Sequence, residues 1–217
     1  MLTEPASSLT DLLLGAVAVG LALRLRRQAG LTPHWQRMFW WTAAAAIAGA
    51  VHHGFVTDSE RWSDRSWLVV TFLVVVAISY LLAASVDEVL GPGHARAFWL
   101  LRSASLGAYV AVALTVGASI GAILLCEGVT MLAVLALWGV GIRRGHPRAR
   151  AVAAAIIASI VAAVIRALPP DVVDPTGLDP TSLYHLAQIP GLVLLYLAAI
   201  GRGIRPHRRT VGVSDWP

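Results

Sequence analysis

The chain has 217 residues, of which 57% are hydrophobic and only 13% are charged. A soluble domain of this size carries about a quarter charged residues, so the composition excludes an ordinary soluble domain and predicts an integral membrane protein. All 17 basic residues are arginine, and the formal net charge is +5. Because retinal proteins of the rhodopsin type attach their chromophore to a lysine through a Schiff base, the lack of lysine excludes that class.

Seven transmembrane helices are predicted when the apolar stretches are cut at roughly 20 residues, the length that crosses a bilayer core of about 30 Å. One apolar stretch, between Arg102 and Arg143, is interrupted only by Glu127 and is too long for a single crossing. We expect it to fold back at Gly117 and Gly121, which gives spans four and five. The predicted spans in chain order are 8–25, 36–56, 66–86, 97–116, 119–142, 149–168 and 181–201.

The arginines orient this bundle, because cytoplasmic loops carry the arginine excess. All of them except Arg61, Arg65 and Arg166 fall on one side of the predicted membrane or in the C-terminal tail. We therefore predict an all-α, multi-pass protein of the plasma membrane, with its N-terminus outside and its C-terminus in the cytoplasm. It would consist of one seven-helix domain, 1–205, and a short basic tail, 206–217.

The first span is predicted to be retained, since its arginines follow the apolar run, whereas those of a cleaved signal precede it. No nucleic-acid motif is present, and the short basic patches that flank the spans are explained by contact with anionic lipid headgroups. Membrane lipids are therefore the expected partners, with a small lipid as a candidate substrate. Arginine in place of lysine, together with abundant alanine, indicates a GC-rich bacterial genome.

Four ionisable residues inside the predicted spans are the candidate functional residues, because such groups at membrane depth need a partner or a role. They are His52 and His53 near the end of span two, Glu127 in span five, and His185 near the start of span seven. His53, Glu127 and His185 lie at similar depth near the outer boundary. His52 points about 100° away from His53 around the helix and is assigned a substitute or supporting role.

Helical spacing groups these residues with polar neighbours. Thr181, His185 and Gln188 share one face of span seven, and Gly49 shares a face of span two with His53. Structural interpretations remain open for the histidines, which could hydrogen-bond across helices.

Three acidic residues are interpreted from their positions. Asp64 could cap span three, and Asp11 is expected to cap the outer start of span one. Glu127, in the middle of an apolar run, favours a polar cavity or a functional role.

Imidazoles beside a carboxylate are suited to zinc, and a catalytic zinc keeps one position for a water that it acidifies. Such a site would hydrolyse an amide or ester presented from the outer leaflet.

The seven spans, this orientation, His53, Asp64 eleven residues later and His185 in span seven resemble the alkaline ceramidase-like superfamily, which includes the progestin and adiponectin receptors. The resemblance implies a zinc ion held by His53 and His185, an aspartate at the start of span three, and cleavage of a lipid amide. It is closest to a bacterial branch of such membrane proteins with an incomplete motif.

Two motif positions depart from that superfamily. Gly49 stands where the family has a serine, and Thr181 stands where it has the first histidine of the span-seven pair. His52 or Glu127 would then have to complete the metal ligands.

Three functions follow from the sequence and remain open. The first is a zinc-dependent hydrolase of a membrane lipid amide or ester. Its metal ligands would be His53, His185 and, as a substitute, His52, and Asp64 or Glu127 would be a ligand or the catalytic base. The second is a lipid-binding or sensor protein of the same fold without chemistry, and the third is a small proton-coupled carrier that uses Glu127 and the histidines.

Overall fold

A computed structural model describes residues 2–28, 31, 33–115 and 120–201, which form seven long helices and one single-turn helix. Gly121 lies in the first turn of α5 and not in a loop as predicted, whereas Gly117 and the tail 206–217 lie outside the described residues. A π-helical turn, His52–Val56, extends α2. The helices are α1 (Pro5–Leu25), α2 (Pro33–Val51), α3 (Ser63–Leu90), α4 (Ala95–Thr115), α5 (Ile120–Arg143), α6 (Ala149–Arg166), α7 (Pro170–Val173) and α8 (Pro180–Ala199).

Each predicted span overlaps one of the seven long helices, so the all-helical architecture is confirmed. Six of them are long and apolar enough to cross a membrane, which identifies a membrane protein. The exception is α2, whose first turns carry His34, Gln36 and Arg37. The count of seven crossings and their orientation stay predictions.

Six of the long helices form a closed ring. α1 packs against α2 and α8, α2 against α3, α3 against α5, α5 against α6, and α6 against α8. α4 lies outside this ring and packs on α3 and α5. Because lipid tails are as apolar as leucine, close packing holds such helices together, and small residues permit it. At Gly191 of α8, for example, a Cβ would lie 2.9 Å from Ser159 Oγ of α6.

The two ends of the bundle differ in their charged and polar residues. One end, called here the arginine end, contains the connections from α1 to α2, from α3 to α4 and from α5 to α6. Gly91 closes α3 there with a φ of 87°, a conformation that favours glycine. The opposite end, called the histidine end, contains the start of α1, the π-turn and the start of α8.

The buried carboxylate of Glu88 links residues of different helices at the arginine end. Glu88 Oε1 of α3 accepts hydrogen bonds from Trp35 Nε1 of α2 at 2.7 Å and from an Arg148 guanidinium nitrogen at 2.8 Å. Charge-assisted hydrogen bonds of this kind are roughly twice as strong as neutral ones. Glu88 therefore fixes α2, α3 and the start of α6 relative to one another.

Candidate functional site

A cavity of about 180 Å³ lies in the centre of the helix ring, with lining residues from α1, α2, the π-turn, α3, α5, α6 and α8. Most of its wall is apolar and includes Leu14, Val74, Leu81 and Leu192. The histidine end of the cavity is polar. The polar and charged lining residues there are Asp11, His53, Thr71, Glu127, Arg166, Thr181, Tyr184, His185 and Gln188.

Asp11 is the central residue of the polar end, a place that the sequence did not suggest. The predicted capping role is wrong, because α1 begins at Pro5 with Glu4 as its N-cap and Asp11 lies more than one turn inside the helix. Its side chain is buried, with the whole residue 5% exposed. Asp11 Oδ1 is 3.3 Å from His185 Nε2, and Asp11 Oδ2 is 4.0 Å from His53 Nε2.

Gly49 on α2 provides the space for this carboxylate. A Cβ built at Gly49 would overlap Asp11 Oδ2. Gly49 and His53 therefore both face Asp11, as their shared helix face predicted.

The π-turn positions His53. The Glu4 backbone N–H donates to the carbonyl of His53, and the Thr3 N–H donates to that of Gly54, both at 3.0 Å. These bonds hold the chain before α1 against the turn. They place the Glu4 carboxylate 2.6 Å from His53 Nδ1. The Glu4 side chain is 42% exposed, so this contact joins the buried cluster to the surface.

His185 is held from the opposite side of the cluster. Its Nδ1 is 3.2 Å from Thr10 Oγ1, and its side chain is 8% exposed. The α8 N-terminus is fixed to α1 as well, because the Ser7 hydroxyl donates to the Asp179 carboxylate at 3.2 Å. Asp179 is the N-cap of α8 and accepts from the backbone N–H groups of Thr181 and Ser182.

Hydrogen-bond chemistry assigns the protons. A carboxylate only accepts, so His53 donates from Nδ1 to Glu4 and its Nε2 is free to accept when the ring is neutral. Thr10 has one hydroxyl proton, which it donates to the Ala6 carbonyl at 2.9 Å, so His185 Nδ1 donates to Thr10. Both Nε2 atoms then face Asp11, and the 3.3 Å contact with His185 is favourable when that pair shares one proton, whereas His53 Nε2, at 4.0 Å, forms no hydrogen bond with Asp11.

The structure brings most of the predicted site residues together. His53, His185 and Glu127 line the cavity with Thr181 and Gln188, as their depths and faces predicted.

Two predicted site residues lie elsewhere. His52 turns away, with its Nδ1 2.6 Å from Ser66 Oγ and its ring packed against Trp67. Asp64 is exposed in the first turn of α3, does not line the cavity and does not cap the helix, whose N-cap is Trp62.

The donor types around Asp11 suit zinc, but their arrangement is not that of a three-ligand site. Among residues 2–28, 31, 33–115 and 120–201, no group of three or more His, Cys, Asp or Glu side chains is placed to hold a metal ion. The 4.0 Å between Asp11 and His53 is long even for a hydrogen bond. We therefore derive no chemical step through zinc.

The chain belongs to a family of unknown function (DUF6962), which matches residues 6–203. No curated protein and no solved structure matches it.

Proposed function

We propose that this protein is a membrane-embedded hydrolase that cleaves an ester or amide of a small amphiphilic lipid. The observation that carries the proposal is the position of two oriented imidazoles and a buried carboxylate at one end of an apolar cavity. An amphiphile fits such a cavity, since its acyl chain meets the apolar wall while its polar linkage meets the histidine end.

In this proposal His53 is the general base. Glu4 holds the ring with Nδ1 protonated, so Nε2 accepts a proton from a water molecule in the cavity. The hydroxide attacks the carbonyl carbon, and the bond to the alcohol or amine breaks. His53 Nε2 then gives this proton to the leaving oxygen or nitrogen, while the Asp11 carboxylate, 4.0 Å away, stabilises the positively charged ring. The products are a carboxylic acid and an alcohol or amine.

The remaining polar lining residues fit the charge that develops in this reaction. Arg166, Tyr184 and Gln188 are hydrogen-bond donors on the wall of the same cavity. Donors of this kind stabilise the oxyanion that forms when a carbonyl is attacked, and each contributes about 3 kcal/mol in enzymes where one was removed. We assign them to the carbonyl oxygen of the substrate.

We place the histidine end outside and the arginine end in the cytoplasm of the plasma membrane, with α2 as a seventh crossing. The excess of arginine in the loops at the arginine end supports this orientation. The polar end of the cavity then opens toward the outer leaflet, so its substrate would come from that leaflet.

The test is release of fatty acid from liposomes that contain the purified protein and either an ester-linked or an amide-linked single-chain lipid. We expect release with the wild type and a loss of about 100-fold or more in kcat with His53→Ala and Asp11→Asn. His94→Ala, at an exposed histidine of the arginine end, is the matched control and should retain the wild-type rate. Lipid binding without release from either class would favour a non-catalytic binding or sensor protein.

One observation favours a second function, proton-coupled transport. Glu127 of α5 lines the same cavity as both histidines, so protonatable groups from α1, α2, α5 and α8 meet there. A carrier would move protons into liposomes together with a small solute, and Glu127→Gln would abolish the flux. Flux indifferent to this change would count against a carrier.

A further inference from the structure

A second polar site lies in the arginine half of the bundle, remote from the histidine cluster. Its centre is Tyr80 of α3, a half-buried residue. The Arg102 guanidinium carbon of α4 lies 4.4 Å from the centre of the Tyr80 ring, and that of Arg37 on α2 lies 5.9 Å away. The His34 ring of α2 stacks on Tyr80 at 6.1 Å between ring centres. Two cations and an imidazole therefore surround one aromatic ring.

The positive charges at this site are not balanced by the described part of the protein. Asp87 pairs with His34 Nε2 at 3.3 Å, and Glu88 is engaged by Arg148 and Trp35. Within the described ranges, neither Arg37 nor Arg102 forms a salt bridge.

Two nitrogen atoms of the same group are buried without a hydrogen-bond partner in that part of the chain, His34 Nδ1 and Arg102 Nε. Leaving a buried polar group unsatisfied costs about 1 to 3 kcal/mol, and more when it is charged. The Arg102 Nε–H therefore lacks an acceptor, and His34 Nδ1, whose ring already donates from Nε2 to Asp87, becomes a second donor when the ring is protonated.

The site lies between two helices that both pack on α3. α2 and α4 do not pack extensively against each other, and the His34 ring of α2 contacts the Phe98 ring of α4 at 5.6 Å between ring centres. Tyr80 of α3 lies between Arg37 of α2 and Arg102 of α4, and the surface between these two helices at Tyr80 is called here the groove. Arg102 lies about 10 Å along α4 from its first residue, Ala95. Trp99 is exposed on α4, next to the groove. The centre of its ring lies 5.2 Å from the Arg102 guanidinium carbon.

We propose that this groove binds a phosphate group, supplied by an anionic phospholipid of the leaflet at the arginine end. A guanidinium pairs with two phosphate oxygens at once, so Arg37 and Arg102 supply enough donors and positive charge to bind a phosphodiester, which carries one negative charge. His34 Nδ1 supplies a further donor when it is protonated. Basic pockets between transmembrane helices are suited to such headgroups. Free inorganic phosphate has the same recognition chemistry, so the experiment includes it.

The test is native mass spectrometry of the delipidated full-length protein, titrated with phosphatidylglycerol, phosphatidylcholine or inorganic phosphate. We expect one phosphatidylglycerol to bind roughly tenfold more tightly than phosphatidylcholine, since one charge-assisted contact is worth at least that factor. The double variant Arg37→Gln/Arg102→Gln should lose that preference. Arg96→Gln/Arg143→Gln, which removes two exposed arginines at the same end, should keep it.

The possible results separate the sources and decide the proposal. Inorganic phosphate bound by the wild type and lost in the Arg37/Arg102 variant, without lipid selectivity, would support the phosphate site but overturn the lipid as its occupant. If both double variants lost the preference for phosphatidylglycerol equally, the site would be overturned, because the net charge of the arginine end alone would then explain lipid binding. If the glutamine variant does not fold, Arg37→Lys/Arg102→Lys keeps the charge, and unchanged lipid selectivity in it would overturn paired guanidinium binding. This result is independent of fatty acid release.

Discussion

The carboxylate of Asp11 on α1 occupies the space that a side chain at Gly49 on α2 would need. We therefore predict that Gly49→Ala destabilises the protein by about 1 to 3 kcal/mol, because the new methyl group forces the buried carboxylate out of its position. Thermal unfolding of the purified protein in detergent measures this effect. The change should also reduce lipid hydrolysis, since the displaced Asp11 carboxylate would lose its contact with His185 Nε2.

Two further variants make this prediction specific. Gly20→Ala, on a part of α1 where an added Cβ meets no atom within 4 Å, should be neutral or slightly stabilising. In an Asp11→Ala background, Gly49→Ala should destabilise the protein much less than in the wild type. The difference between the two destabilisations is the coupling energy between the two residues. An equal cost in both backgrounds would show that Asp11 is not the group displaced.

Glu4 is predicted to position His53. Glu4→Ala removes the acceptor for the Nδ1 proton, so the ring no longer keeps Nε2 as the free base. We expect kcat for fatty acid release to fall about 10-fold or more with little change in KM. Glu4→Gln should recover part of the rate, because its amide oxygen still accepts from Nδ1.

The matched control for Glu4 is Glu60→Ala, which removes an exposed carboxylate at the histidine end. It should leave kcat unchanged. A rise in KM for Glu4→Ala at constant kcat would point instead to a role for Glu4 in lipid binding. Equal losses with Glu4→Ala and Glu4→Gln would indicate that the negative charge, and not the oriented tautomer, is what matters.

Asp179 should make stability depend on pH. Partial burial raises the pKa of its carboxyl, but hydrogen bonds from Ser182, Ser7 and the Thr181 amide outweigh it, so the pKa lies below its usual value. The stabilisation is therefore complete above the unfolded-state pKa of about 4 and is lost as the pH falls through the lower folded-state value. Asp179→Asn keeps an N-cap acceptor but cannot titrate, so it should weaken the loss of stability at acidic pH, whereas Asp179→Ala should also cost about 1 kcal/mol at pH 7.

Thermal unfolding at a series of pH values tests this behaviour. Asp58→Asn changes an exposed carboxylate at the same end. It should leave the loss of stability at acidic pH as it is in the wild type. If Asp179→Asn and the wild type lose stability over the same acidic range, other carboxylates control the transition.

The seven long helices could be predicted from the sequence because each coincides with an apolar run of about the length that crosses a bilayer. His53, His185 and Glu127 could be grouped for a related reason: in parallel or antiparallel helices, the distance from a span's end gives depth. Asp11 was missed because an aspartate near a helix start is normally a cap, and only the packing of α1 on α2 shows that it points inward. Buried Gly49 was the one available signal, since a glycine beside a histidine in a span allows close approach of another group.

Asp64 shows the opposite error. Its distance from His53 in sequence matched a family motif, but the helix α3 begins at Ser63, so Asp64 is in an exposed first turn. Rotation about the helix axis decides whether such a residue faces a cavity, and spacing across a loop does not determine that rotation. Tyr80, Arg37 and Arg102 could not be grouped from sequence for the same reason.

Metal content is the remaining prediction, and here the sequence and the geometry disagree. The sequence predicts zinc on His53 and His185, whereas in the structure their Nε2 atoms face the Asp11 carboxylate, at 4.0 Å from His53 and 3.3 Å from His185. We expect a chelator to leave fatty acid release unchanged, and elemental analysis to find well under one zinc per chain. About one zinc per chain, absent from both His53→Ala and His185→Ala but retained in His94→Ala, would contradict the metal-free base. It would make Asp11 the residue to test as the third ligand, in place of His52 or Glu127.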